Sequence, residues 1–110
     1  MTDSGHDQSI LFEVSTPLDF SVRVTLSYWD LITKTKHPVM AGQEFIVRET
    51  LQTPAQIRIS RSDPSVYLFY LKERANRWIC AVVKKLNGEG FLITTYPTEA
   101  IKEGVKVWPR

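Results

Sequence analysis

The chain has 110 residues, 43% apolar and 24% charged, which is the balance of one ordinary globular domain and leaves no room for two. Its single cysteine, Cys80, excludes an internal disulfide. With a polar, acidic start unlike a secretory leader and no apolar run long enough for a bilayer, the expected setting is the reducing cytoplasm, away from membranes. The net charge of +2 is unevenly spread: four bases face seven acids through Pro54 (net −3) and ten face five beyond it (net +5), which favours an anionic partner for the second half.

Residues 1–18 read as a polar N-terminal tail that includes His6, with a short strand at 10–14, and residues 19–110 as a single domain. Phe20, Val22, Val24 and Leu26 alternate with Ser21, Arg23 and Thr25, the period of a strand with one wet face. Ser27, followed three residues later by Asp30, resembles a capping box, so a helix is expected from Tyr28, burying Trp29 and Ile32. Pro38 disfavours helix at the residue before it, which sets His37 at the helix C-terminus. A second helix is expected over 43–51, with Ile46, Val47 and Leu51 inward and a Glu44–Arg48 charge pair outward.

From Ala55 the pattern turns to strands: 56–60, then 66–71 after the turn at 62–65, then 78–86, which is apolar on both faces until Lys84. Asn87-Gly88-Glu89-Gly90 predicts a type I′ hairpin turn, with 91–95 returning antiparallel. Thr98 is placed to cap a short helix through about Glu103, and 105–108 to add an edge strand. The expected fold class is α+β: an N-terminal strand and two helices packed on a curved antiparallel sheet of about four strands, with a short C-terminal helix.

One cysteine and one histidine within the domain make a structural zinc site untenable, and no glycine-rich loop joins a strand to a helix, so no metal and no cofactor is expected. What remains is an imidazole, several cations and strand-borne hydroxyls. These are the residue types of metal-independent RNA cleavage, where the RNA's own 2′-hydroxyl attacks phosphorus and the protein moves protons and stabilises charge.

The ordered set Tyr28-Trp29, His37-Pro38, Thr50-Leu51 with Pro54, Ser60, Asp63-Pro64, Tyr67, Tyr70, Val82-Val83-Lys84 and Ile93-Thr94-Thr95-Tyr96-Pro97 resembles phage-type members of the Barnase-EndoU-Colicin-RelE (BECR) nuclease superfamily over about residues 20–108. The resemblance implies helices on a curved four-stranded antiparallel sheet and a toxin-like or phage-associated ribonuclease that cleaves RNA without metal. It also implies His37 as acid or base, Arg61 as a phosphate clamp and Thr94 as a hydroxyl facing the site, with Ser60 and Tyr70 at substrate-binding positions; beside it, Lys84 is read as a second transition-state cation and Arg58 and Tyr96 as further substrate-binding residues. Phe69 and Thr95 depart from the usual tyrosine and alanine of that pattern. The expected partners are RNA and a protein antitoxin or inhibitor. The alternative is a noncatalytic RNA-binding or protein-interaction module using Arg58, Arg61, Lys84 and Tyr67, as a member of a toxin-antitoxin or phage defence pair.

Overall fold

The computed structural model describes residues 9–101 and 103–110. Residues 1–8, with His6, and residue 102 lie outside the described residues. The strands are β1 (Ile10–Ser15), β2 (Ser21–Thr25), β3 (Gln56–Ile59), β4 (Val66–Arg74), β5 (Arg77–Leu86), β6 (Glu89–Thr98) and β7 (Val105–Trp108). Between β2 and β3 run α1 (Leu26–Leu31), a π-helical turn (Ile32–Lys36), a 3₁₀ turn (Pro38–Met40) and α2 (Glu44–Gln52).

All seven strands join one mixed sheet in the order β1-β2-β6-β5-β4-β3-β7. This corrects the expected sheet of about four antiparallel strands. The meander β3 to β6 is present and antiparallel, but the β1–β2 hairpin extends it beyond β6 through a short parallel pairing, Val22 with Gly90 and Arg23 with Phe91. A Cβ at Gly90 would lie 2.9 Å from Phe20 Cε1 and 3.0 Å from methyl groups of Val22 and Val83. The missing side chain therefore lets β2 dock, a role beyond turn-making that the Asn-Gly signal conceals. At the other edge β7 pairs antiparallel with β3.

The expected C-terminal helix is absent from residues 98–101 and 103. Thr98 pairs with Trp78 as the last residue of β6, and its hydroxyl donates to Ala100 O at 3.2 Å, closing a bend instead of capping a helix. The strand foreseen at 10–14 is β1, and its Phe12 and Val14 belong to the core. The cap of α1 is Thr25, whose Oγ1 accepts from Tyr28 N at 3.2 Å, so the helix starts two residues before the predicted Tyr28.

One sheet face carries the main core: Ile57, Phe69, Ile79, Ala81, Val83 and Leu92 pack with Trp29, Ile32, Met40, Val47 and Leu51 from the helical segment. Helix α2 touches β4, β5 and also β1, so the sheet curls around it. Arg48 accordingly lies over the Phe12 ring at 5.4 Å, and among the described residues no Glu44–Arg48 ion pair forms. The opposite face holds a smaller cluster, Leu68, Tyr70 and Cys80, flanked by Trp78, Val82, Tyr96 and Ile101. No helix of the described residues is long and apolar enough to cross a membrane.

Candidate functional site

Strand β6 decides which side chains reach this second face. Val82 pairs with Thr94 but Val83 pairs with Leu92, so Ile93 is an extra residue, a bulge. Without it Leu92 and Thr94 would share a side. With it, Leu92 enters the helix-side core while Thr94 joins Tyr96 on the opposite face, and Thr95 turns inward, fully buried, its hydroxyl donating to Cys80 O at 2.8 Å.

His37 arrives at Tyr96 from the helical segment. The Thr33 hydroxyl bonds back to Trp29 O at 3.0 Å, a bond that loosens a helix locally, and the last turn widens until His37 N donates to Ile32 O at 2.8 Å. Pro38 then ends the turn. The half-buried imidazole faces the Tyr96 ring at 5.3 Å between centroids, tilted by 41°. Lys36, one residue earlier, donates from Nζ to Ile93 O and to Tyr28 Oη, both at 3.2 Å. Thr94 lies between Ile93 and Tyr96 along β6, and its hydroxyl is buried with no hydrogen-bond partner among the described residues.

Behind this group the Cys80 thiol lies against the hydroxyls of Tyr70 and Tyr96, and burial pushes it up to about 11. Burial likewise raises both phenols above their ordinary range, so near neutrality all three remain protonated.

The structure divides the predicted site in two. His37, Thr94 and Tyr96 come together. Lys84 lies on the same face but four residues along β5 from Cys80, the partner of Tyr96, roughly 13 Å away at strand rise. Its Nζ sits 2.7 Å from Asp63, and that bond, with two from Ser65, holds the Asp63 carboxyl well below the usual carboxylate range. Arg58 is committed elsewhere: Nε donates to Glu103 O at 2.6 Å, Nη2 to Gly104 O at 2.9 Å and Nη1 to Gln56 Oε1 at 2.8 Å, tying the turn before β7 to β3. Ser60 bonds Ser62 at 3.1 Å and Arg61 is exposed in the loop after β3, three strands from β6, at least about 14 Å away laterally. Tyr70 is a core residue, 2% exposed.

Sequence reasoning passed over Lys36 and Arg23. Lys36 reads as a generic helix-end lysine, and its adjacency to His37-Pro38 is the one signal that marks it. Arg23 sits on the wet side of a strand, and only the β2–β6 pairing brings it to Phe91. Comparison with known proteins adds nothing to this picture: no family model, curated protein or solved structure matches the chain.

Proposed function

We propose that the chain is a metal-independent ribonuclease whose reacting centre is the His37 end of the open sheet face. The observation that carries this reading is the grouping along β6: His37 faces the Tyr96 ring, Lys36 bonds Ile93 O, and the Thr94 hydroxyl of the residue between is buried with no hydrogen-bond partner among the described residues. A phosphodiester supplies what each group lacks: an acceptor for Thr94, a charge for Lys36 and an ionisable proton path for the imidazole.

In this reaction the RNA 2′-oxygen bonds to the adjacent phosphorus and the bond from phosphorus to the 5′-oxygen breaks. The proton lost by the 2′-hydroxyl ends on the departing 5′-oxygen, and the His37 imidazole carries it. Lys36 and Thr94 stabilise the charge that grows on the non-bridging oxygens, and Tyr96, held protonated, orients the imidazole. The expected products are 2′,3′-cyclic phosphate and 5′-hydroxyl ends. Because the nucleophile belongs to the RNA, the protein needs none, consistent with a cysteine locked as a neutral thiol.

The test is incubation of RNA with the protein in EDTA. Cleavage giving those ends is expected, falling by about 10²- to 10⁴-fold in His37→Ala with the fold intact. Equal rates for the two proteins would remove the assignment. A second reading, RNA binding without cleavage, is favoured by the tie of Lys84 to Asp63, which withholds that cation from a reacting phosphate. It predicts salt-dependent binding and no new ends.

A further inference from the structure

Beside the His37 end, β2, β6 and β5 bound a groove of about 400 Å³ lined by Arg23, Thr25, Tyr28, Lys84, Phe91 and Ile93. That volume falls within the roughly 300–1,000 Å³ of small-ligand sites. Phe91 is 37% exposed and Leu86, at its border, 50%, so these apolar surfaces face solvent and are no part of the core. Cations stand over both aromatic rings: Lys36 Nζ lies 5.2 Å from the Tyr28 centroid and the Arg23 guanidinium 5.6 Å from that of Phe91.

The charges around the groove are only partly compensated. Glu89 accepts from Arg23 Nη2 at 2.6 Å and Asp63 from Lys84 at 2.7 Å, while among the described residues Lys36 bonds only neutral oxygens. Arg23 Nε is buried with no acceptor among the described residues. A phosphate that displaced Glu89 would accept from Nε and Nη2 together as a fork, giving the idle donor a partner. Exposed aromatic faces interleaved with cations fit a flexible polyanion whose bases are free to stack, and a duplex keeps its bases inside.

We infer that this groove seats one base of single-stranded RNA on Phe91 and its flanking phosphate on Arg23, further along the same RNA strand from the bond reacting at His37. The inference rests on the reading of the His37 end as an RNA-cleaving centre, and its test separates the two. Fluorescence anisotropy follows binding of a labelled, 2′-O-methylated single-stranded oligoribonucleotide, which lacks the attacking hydroxyl and is held uncut.

Phe91→Ala, at an exposed position, weakens binding by about tenfold or more, the scale of one lost base–aromatic stack, and Leu86→Glu, also exposed, weakens it by setting a carboxylate at the groove border against the phosphates. Arg23→Gln lowers the slope of log affinity against log salt by about 0.7. Thermal midpoints close to wild type verify that the variants fold. Unchanged affinity in all three overturns the groove even if the protein cuts ordinary RNA. Groove-dependent binding with no cleavage of ordinary RNA supports the groove and overturns the reaction. Equal binding of a blunt RNA duplex with the same sensitivity to Phe91→Ala overturns the single-strand assignment.

Discussion

Cys80, Tyr70 and Tyr96 share one buried corner of the open face, and each holds its proton more tightly than in the unfolded chain because burial disfavours its anion. The sign follows from linkage. A group whose folded pKa is raised contributes stability that is whole below the unfolded value and is lost as pH climbs, for Cys80 between about 9 and about 11. Urea midpoints should therefore fall between pH 8 and pH 10.5, and fall less in Cys80→Ala, with the two tyrosines keeping part of the slope. The buried thiol was legible from the apolar run around it. The role of Arg58 was not, because its acceptors are carbonyls 45 and 46 residues away, and no local pattern encodes that distance. Arg61, a transition-state cation by resemblance, stands outside the proposed reacting centre, so on this proposal Arg61→Ala changes the rate of RNA cleavage by less than about twofold while His37→Ala abolishes most of it. Loss of activity in Arg61→Ala comparable to His37→Ala would move the centre to the loop after β3.

At the scale of elements, alternation and turn chemistry found every strand, and the positive φ of Asn87 (55°) and Gly88 (82°) is what the predicted hairpin turn requires. What they did not find was how strands from the two ends of the chain meet. The parallel step between β2 and β6 spans only two residue pairs and depends on a glycine that looks like part of the turn. Gly90→Ala should lower stability by about 1–3 kcal/mol in urea denaturation, because the new methyl presses on Phe20, Val22 and Val83. A neutral result would show that β2 docks by other contacts. The π-helical turn was equally illegible: Pro38 predicted where the helix stops, but not the widening beside the Thr33–Trp29 back-bond, nor the β6 bulge that sets Thr94 and Tyr96 on one face.

For the whole molecule, folding neutralises or redirects some of the charge that the sequence concentrates in its second half. Of the bases in the second half, Lys84 and Arg77 are paired with Asp63 and Glu73, and Arg58 is spent on backbone carbonyls. Two cations of the proposed RNA path, Arg23 and Lys36, come from the acidic first half, carried there by the β2–β6 pairing and the helical segment. Folding thus assembles a face from both halves: His37, Lys36, Thr94 and Tyr96 at one end and Arg23, Tyr28 and Phe91 beyond it. The most direct test is an amide chemical-shift titration of the native protein with an uncleavable single-stranded oligoribonucleotide. Shifts concentrated at residues 36–37, at Arg23 and along 91–96 are the predicted result. Shifts confined to residues 60–62 and 103–106, with His37 and Thr94 unmoved, would contradict it.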